Sequence, residues 1–319
     1  MKSLTLDRSA SKPSVRGGRL NFQPAAALIR CANVTPVFKT GHVKKSANVH
    51  NARFEKHFRV RCQPAQQTSE DAVLEEDFDL LGTKISELVT DLNEELKGCS
   101  IYIVGMMGSG KSTLGKMLAN TLKYTSFDSD MMIEMTHEKK AVSTIFKEFG
   151  EDYFRDCESQ VLKQLAPYKN LVVSTGGGAV CRPMNWSYMQ QGIVVWLQGS
   201  PELLARRVAK DGLEKRPLLA VESSGDDLYG TALSKITSLL EDRTKYYENA
   251  DVVVNLESLS QKDTEAGAPT AVVMYRTLLG VKAKIQATKE EREAKRNFTI
   301  ENADQLKTMR TIQSPAQNE

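Results

Sequence analysis

The sequence predicts an α/β protein built on a parallel sheet of five strands with helices on both faces. Two observations support this fold class: short apolar runs typical of buried strands alternate with longer segments of helical periodicity, and a glycine-rich turn joins the first such pair. The predicted strands are 101–105, 124–127, 171–175, 193–197 and 251–255. The predicted helices are 80–96, 111–122, 142–149, 152–165, 201–210, 226–248 and 270–279. We expect ligands at the carboxyl ends of the strands.

The turn after the first predicted strand has the composition of a phosphate-binding loop, G-x-x-x-x-G-K-S. Its glycines allow backbone conformations closed to other residues, so successive N–H groups can point at phosphate oxygens. The helix that follows adds its unpaired N–H groups. We therefore predict that a nucleoside triphosphate is bound by Gly105, Met106, Met107, Gly108, Ser109, Gly110, Lys111, Ser112 and Thr113. Lys111 is expected on the outer phosphates and Ser112 on Mg²⁺. A glycine turn with a chance lysine is the alternative.

Composition and charge argue against several classes of protein. The chain of 319 residues has a net charge of +3, which is too small to favour nucleic-acid binding, and much of the basic excess lies before residue 62. No apolar segment approaches the length of a membrane span, so we predict neither a membrane nor a nucleic-acid partner. The five cysteines are odd in number and lack C-x-x-C spacing, which favours reduced thiols over a disulfide framework or a zinc site.

Composition also divides the chain into four segments. Residues 1–61 are rich in Ser, Ala, Arg and Lys and contain two acidic residues, which is typical of an organelle transit peptide; a basic disordered tail for RNA or another partner is the alternative. Residues 62–97 are predicted as an acidic linker and a short amphipathic helix. Residues 98–281 are predicted as the α/β domain and 282–319 as a charged tail. We expect a monomer or a weak homodimer.

Charged residues follow the second predicted strand and lie on the helices after it. Asp128 and Asp130 project to the same side of an extended segment, where one could serve Mg²⁺ and the other a substrate hydroxyl. A helix is predicted to begin near Met131, and its capping by Asp130 is the alternative role for that residue. Arg155 and Glu158 lie at i, i+3 on the margin of an apolar stripe, and a surface ion pair is the alternative there.

Two further features are candidates for ligand contact. Gly176, Gly177 and Gly178 come directly after a buried strand, where backbone can approach a ligand without an intervening side chain; a plain flexible turn is the alternative. Arg243 interrupts an otherwise apolar helical face, and a surface arginine whose stem packs along that face is the alternative.

In this order and spacing, the motifs resemble shikimate kinase. They are G-x-x-G-S-G-K-S-T, D-S-D-x-x-I-E, G-E-x-x-F-R-x-x-E, S-x-G-G-G-A-V and R-P-L-L, and the resemblance runs from about Ser100 to Asn255. It implies a three-layer P-loop kinase fold with a mobile lid at Lys215 to Leu219. With its leader, the chain looks like the plastid enzyme of plants, which implies the chloroplast stroma as its location.

The resemblance also implies roles for individual residues. Asp130 would bind the acceptor hydroxyls and act as the base, with Lys111 and Arg216 as further catalytic residues. Arg155 and Arg243 would bind the shikimate carboxylate, with Glu158 orienting Arg155.

For the nucleotide and the metal, the implied roles are as follows. Asp128 would hold Mg²⁺ through water, together with Ser112. Arg216, in the lid, would reach the transferring phosphate, and Arg206 would flank the adenine of ATP. The triple glycine, Gly176, Gly177 and Gly178, would pack against shikimate.

The implied activity is the transfer of the γ-phosphoryl group of MgATP to the 3-hydroxyl of shikimate, giving shikimate 3-phosphate and ADP. Planar guanidinium groups suit a small carboxylate, and a carboxylate suits its hydroxyls. Two alternatives stay open. One is a small P-loop kinase for another acceptor, such as gluconate or a nucleoside monophosphate. The other is a non-catalytic relative that keeps the fold as a binding protein.

Overall fold

The computed structural model describes residues 75, 77–211, 228–258 and 266–312. Within these residues, helices and strands alternate along the chain. Their bounds are α1 (Phe78–Leu96), β1 (Ile101–Gly105), α2 (Lys111–Leu122), β2 (Thr125–Asp128), α3 (Ser129–Thr136), α4 (Val142–Phe149), α5 (Glu151–Leu165), β3 (Leu171–Ser174), α6 (Pro183–Met189), β4 (Ile193–Gln198), α7 (Pro201–Asp211), α8 (Leu228–Tyr247), β5 (Val252–Asn255) and α9 (Thr270–Ile312). A 3₁₀ turn, Ala179–Cys181, precedes α6.

Strand β1 lies at the centre of a parallel sheet with the order β2-β3-β1-β4-β5. On one side it pairs with β3, with Ile103 opposite Ser174, and on the other with β4, with Gly105 opposite Leu197. The strand order therefore reverses at β1. Open α/β sheets bind ligands in the crevice at such a switch point, at the carboxyl ends of the strands. The glycine-rich loop begins there, at the end of β1.

The central strands are buried on both faces. Every residue of β1 and β3 is buried, and successive side chains of a strand point to opposite faces, so both faces must be covered. Helix α2 packs against β2 and β3, and α9 packs against β5. The predicted fold class, a five-stranded parallel sheet with helices on both faces, is confirmed.

The element bounds follow the sequence pattern closely where that pattern is strong. Helices α2 and α4 and strand β1 begin and end at the predicted residues. Strands β3, β4 and β5 differ from prediction by one residue at one end, and β2 is shifted by one residue at both ends. Two elements differ more. Helix α6 was not predicted because it is a short segment that starts at Pro183. Helix α3 begins at Ser129, earlier than the predicted start near Met131.

The last helix is also much longer than predicted. The apolar pattern predicted an end at Leu279, whereas α9 continues to Ile312. Lysines beyond Leu279 form 2.6 Å ion pairs with carboxylates of α1, namely Lys282–Asp91 and Lys289–Glu95. Because these contacts are made by charged residues, the pattern of apolar residues in the sequence does not indicate that the helix continues. The predicted boundary between the domain and the charged tail, at residue 282, therefore falls inside a helix.

Two absences hold for the described part of the chain. None of its helices combines the length and apolar composition needed to cross a bilayer. Its three cysteines, Cys99, Cys157 and Cys181, are free thiols.

Candidate active site

The loop between β1 and α2 follows a path that requires glycine. A Cβ on Gly105 would lie 2.8 Å from the backbone oxygen of Leu197, and a Cβ on Gly108 would lie 2.8 Å from that of Leu204. Gly108 also has a φ of 80°, a conformation that L side chains rarely adopt. The loop can therefore lie close against β4 and α7 only with glycine at these two positions.

The loop opens directly onto the start of α2. Gly110 is the N-cap of α2, with a φ of 82° and no side-chain cap, and nothing lies within 4 Å of the place where its Cβ would be. The start of α2 thus has no side-chain cap and has open space beside Gly110, and the unpaired N–H groups of a helix start suit an anion. The Lys111 ammonium folds back over the loop, 2.9 Å from the backbone oxygen of Met106 and 3.5 Å from Ser109 Oγ.

The remaining predicted loop residues differ in exposure. Ser109 and Met106 are buried and shape the inside of the loop. Met107 is half-buried, and Thr113 is exposed in the first turn of α2. The loop therefore offers backbone groups, Lys111 and Ser112 to a ligand rather than a set of apolar side chains.

Ser112 and Asp128 form the predicted pair of metal ligands. Ser112 Oγ donates a 2.5 Å hydrogen bond to Asp128 Oδ2. Asp128 Oδ1 accepts from the backbone N–H groups of Asp130 and Met131, at 3.1 and 3.2 Å, and so caps α3. The capping role considered for Asp130 thus falls to Asp128, because Asp128 is the last extended residue before the helix.

The side-chain oxygens of Ser112 and Asp128 suit Mg²⁺ better than a metal ion that takes all its ligands from the protein. Within the described residues, no group of three or more His, Cys, Asp or Glu is placed to hold an ion. Mg²⁺ typically takes one or two protein oxygens and completes its shell with phosphates and water. Ser112 and Asp128 would provide those protein oxygens beside the phosphate loop.

Two carboxylates, Asp130 on α3 and Glu158 on α5, each have one buried oxygen with spare hydrogen-bonding capacity. In the described part of the structure, Asp130 Oδ1 and Glu158 Oε1 are buried without a hydrogen-bond partner. Burial raises the pKa of Asp130 to about 7, with Glu158 and Asp128 adding to the rise and Lys111 and Arg155 opposing it. Burial also raises the pKa of Glu158, against the lowering effect of Arg155. A carboxyl that titrates near neutral pH is suited to act as a general base.

Arg155 is held rigidly on α5 beside these carboxylates. Its Nη1 donates to Glu158 Oε2 at 2.9 Å, and its Nε and Nη2 donate to Glu151 Oε1 at 3.3 and 3.1 Å. The guanidinium also lies 5.8 and 5.6 Å from the ring centres of Phe146 and Phe154. The Arg155 side chain is 11% exposed and that of Glu158 is 0% exposed, so the surface ion pair considered above is excluded.

The triple glycine passes directly across this cluster. A Cβ on Gly176 would lie 2.3 Å from Glu158 Oε1 and 2.8 Å from Asp130 Oδ1, and a Cβ on Gly178 would lie 2.3 Å from Arg155 Cζ. Only glycine allows the backbone to come this close. The turn is therefore a packed part of the cluster, and the flexible turn considered above is excluded.

Arg243 reaches the same turn from α8. Its Nη1 donates to the backbone oxygen of Gly177 at 3.2 Å, and Tyr247 Oη donates to the same oxygen at 2.7 Å. Arg243 is 7% exposed, and Tyr247 stacks on Trp196 with ring centres 5.5 Å apart. The surface arginine considered above is excluded, and the structure brings Arg243 together with Arg155 and Asp130 around the glycines.

Two predicted residues remain, Arg206 and Arg216. Arg216 and the surrounding lid lie outside the described residues. Arg206 is exposed on α7. Its neighbour Arg207 donates to the backbone oxygen of Ala266 through Nε and Nη2, at 3.1 and 2.7 Å. The predicted contact of Arg206 with the adenine and that of Arg216 with the transferring phosphate stay predictions.

Sequence reasoning missed two residues that hold the cluster in place. Glu151 bonds to Arg155, and its spacing of four residues from Arg155 on one helix is a readable signal for that pair. Ser129 Oγ accepts a 2.9 Å hydrogen bond from the N–H of Gly176 and so ties the start of α3 to the turn after β3. No sequence signal indicated this second contact, because it joins residues 47 positions apart.

Comparisons with known proteins complete the description. The family model described as shikimate kinase matches residues 107–273. The chain is 50% identical over 183 residues to "Shikimate kinase 1, chloroplastic" of Oryza sativa subsp. japonica, covering 57% of this chain and 58% of the relative. It is 41% identical over 227 residues to "Shikimate kinase, chloroplastic" of Solanum lycopersicum, covering 69% of this chain and 73% of the relative.

A solved structure, "Shikimate kinase from Acinetobacter baumannii in complex with shikimate", is 33% identical, covers 58% of this chain and 93% of that one, and has a TM-score of 0.49. The alignment with the rice protein spans less than two thirds of that protein's length, and the alignment with the tomato protein spans more. The match of the family model to just over half of the chain, and the identity to the tomato protein over most of its length, show that this chain belongs to the shikimate kinase family.

Proposed function

We propose that this protein transfers the γ-phosphoryl group of ATP to the 3-hydroxyl of shikimate, giving shikimate 3-phosphate and ADP. The observation that carries the proposal is the convergence of Asp130, Arg155 and Arg243 on the triple-glycine turn, beside the phosphate loop. An acceptor with one carboxylate and several hydroxyls matches two guanidinium groups and one carboxylate. Family membership and the names of the relatives support the same reaction.

The loop and α2 bind the phosphates of ATP in this proposal. The backbone N–H groups from Gly108 to Ser112 point to the anion, and Lys111 exchanges its contact with the Met106 oxygen for the outer phosphates. Ser112, together with Asp128 through water, would hold Mg²⁺, and the bound ion would neutralise charge on the outer phosphates. The protein's contribution is positioning and charge neutralisation, since phosphoryl transfer needs little covalent chemistry from side chains.

Arg155 and Arg243 bind the carboxylate of shikimate, and Asp130 receives its reacting hydroxyl. Glu151 and Glu158 use three of the five N–H donors of Arg155, which leaves donors for a ligand and fixes the plane of the guanidinium. Asp130 Oδ1 accepts the hydrogen bond of the hydroxyl and then its proton as the phosphoryl group transfers. A pKa near 7 makes Asp130 both ionised for part of the population and basic enough to take the proton.

The role of Arg216, the location of the protein and its oligomeric state complete the proposed function. Arg216 supplies positive charge to the transferring phosphoryl group from the lid, as in the family. The protein acts in the chloroplast, since relatives in rice, tomato and Arabidopsis thaliana are named chloroplastic. It works as a monomer or a weak homodimer, which sedimentation of the purified chain would test.

An acceptor panel tests the reaction. The purified full chain is mixed with MgATP and shikimate, gluconate or AMP, and ADP release is followed. Of the three acceptors, we expect the protein to phosphorylate only shikimate. We expect the Lys111→Met variant to phosphorylate none of them, although circular dichroism should show that it is folded. If the protein phosphorylates gluconate or AMP but does not phosphorylate shikimate, the site binds a different acceptor. MgATP binding without turnover of any acceptor would indicate a non-catalytic relative.

A further inference from the structure

A second buried ion pair lies outside the acceptor site. Arg276 Nη2 on α9 is 3.0 Å from Oε1 of Glu75, which precedes α1, and the two side chains are 4% and 2% exposed. Both residues lie outside the segment that the family model matches, 107–273. The pair therefore joins two segments that flank the matched kinase region.

This ion pair holds the turn that follows β5. Arg276 Nη1 donates to the backbone oxygens of Asn255 and Glu257, at 3.1 and 2.9 Å. Ser258 Oγ donates to Glu75 Oε2 at 2.5 Å. We call residues 255–258 the β5 loop. Three of its four residues are thus bonded to one or other member of the pair.

The β5 loop in turn fixes the start of α7. Asn255 Oδ1 accepts from the N–H of Glu257 at 2.9 Å, which folds the loop on itself. Glu257 Oε1 accepts from the N–H of Ser200 at 2.9 Å, and the N–H of Leu256 donates to the oxygen of Gln198 at 2.8 Å. A displacement of the β5 loop would therefore also displace the turn between β4 and α7.

These two turns form the wall of a cavity of about 380 Å³ that reaches the phosphate loop. Its lining includes Met106 of that loop, Gln198 to Ser200 and, from the β5 loop, Asn255 and Glu257. The volume is within the range of small-molecule sites. Asp130 follows β2 and Arg155 meets the turn after β3, whereas this cavity lies beside β4 and β5, so it is placed to receive the nucleoside end of a nucleotide bound to the loop between them. On α8, two of its lining residues, Leu240 and Thr244, flank Arg243.

We propose that Glu75 and Arg276 are positioning residues that set the affinity for ATP by holding the β5 loop against the nucleoside. This inference rests on the proposed kinase function. Neither residue contacts the ligand. Loss of Arg276 would remove the donor that holds two backbone oxygens of the loop and would remove one ion-pair contact of the buried Glu75 carboxylate, so the loop would have to rearrange.

The test compares Arg276→Met with Lys282→Met in the full chain. Lys282 is the matched control, because it also joins α9 to α1, through Asp91 at 2.6 Å, but makes no contact with the β5 loop. The dissociation constant of MgATP is measured by calorimetry, and KM values for ATP and shikimate by steady-state kinetics. In Arg276→Met we expect the MgATP dissociation constant to rise about tenfold, with the shikimate KM unchanged. Lys282→Met is expected to keep both wild-type values.

A milder variant covers the case in which Arg276→Met does not fold. Ser258→Ala removes one hydrogen bond between the loop and Glu75 and is expected to weaken MgATP binding about threefold. An unchanged MgATP dissociation constant in folded Arg276→Met, or in Ser258→Ala if the former does not fold, overturns the proposal. An equal rise in the shikimate KM, or an equal loss of MgATP affinity in Lys282→Met, overturns it as well.

Calorimetry separates this proposal from the proposed reaction, because MgATP binding needs no turnover. If the wild-type chain binds MgATP but does not phosphorylate shikimate, the proposed reaction is contradicted. The comparison of MgATP binding by Arg276→Met and Lys282→Met would still test the role of the ion pair. A wild-type chain that binds no MgATP would overturn both.

Discussion

Replacing Gly178 by alanine changes the shikimate site through one methyl group. Gly178 has φ −100° and ψ −3°, a backbone conformation open to alanine, so the substitution introduces no backbone strain. Its Cβ would however lie 2.3 Å from Cζ and Nη2 of Arg155 and 2.5 Å from Nη1. Ordinary contacts begin at 3.4 Å, so the guanidinium has to retreat by more than about 1 Å.

A shift of that size separates Arg155 from Glu158, now at 2.9 Å, and from the position of the substrate carboxylate. A charge-assisted hydrogen bond contributes about 1.5–3 kcal/mol, which corresponds to a rise of about 10- to 100-fold in the shikimate KM. The ATP KM should not change, because the added methyl group meets the Arg155 guanidinium first, through Cζ, Nη2 and Nη1. The melting temperature should fall by a few degrees, since Glu158 loses part of its pairing.

Steady-state kinetics with each substrate varied in turn measures these effects, with thermal unfolding alongside. Gly82→Ala is the control, because Gly82 is exposed on α1 and nothing lies within 4 Å of the place where its Cβ would be. It should leave both KM values unchanged. A wild-type shikimate KM in Gly178→Ala, or a parallel rise in both KM values, would refute the argument that the turn positions Arg155.

Two further substitutions test the acceptor site. Arg155→Ala should raise the shikimate KM about 10- to 100-fold without changing the ATP KM, and should lower the melting temperature because Glu158 is left buried and unpaired; an unchanged shikimate KM would remove the carboxylate role. Asp130→Asn should depress kcat while calorimetry still detects ATP binding, and the wild-type kcat/KM for shikimate, which reports ionisation of the free enzyme, should rise with pH through about 7 as Asp130 loses its proton. Because folding raises the pKa of Asp130, the ionised carboxylate lowers the stability of the folded protein at any pH above the pKa that this group has in the unfolded chain. Asp130→Asn should therefore have a higher melting temperature than wild type at pH 8. A wild-type kcat in Asp130→Asn would contradict the role of Asp130 as base.

Helix and strand positions could be predicted because they depend on neighbours in sequence. Helix α2, for example, combines a glycine-rich start with a regular apolar stripe, and both signals lie within a dozen residues. The order of the strands could not be predicted from such signals. It depends on pairing between segments far apart in the chain, such as Ile103 beside Ser174.

Roles that depend on burial were likewise undecided. The spacing of Arg155 and Glu158 is equally compatible with a surface ion pair, and their burial depends on the triple-glycine turn packing over α5. The choice of Asp128 rather than Asp130 as the cap of α3 depends on where β2 ends, to within one residue. The residue at which β2 ends therefore gives Asp128 and Asp130 different roles, although they are only two positions apart.

The amino-acid sequence by itself determined the fold class and the glycine-rich loop, since each is encoded by residue types at short, regular spacings, and the candidate acceptor residues followed from the resemblance of its motifs to the shikimate kinase family. The tertiary structure alone decided which of these residues meet, how deeply they are buried, and the joining of Glu75 to Arg276 across 201 positions. The physical reason is that burial and pKa are properties of the surroundings of a group, and those surroundings are built from distant parts of the chain.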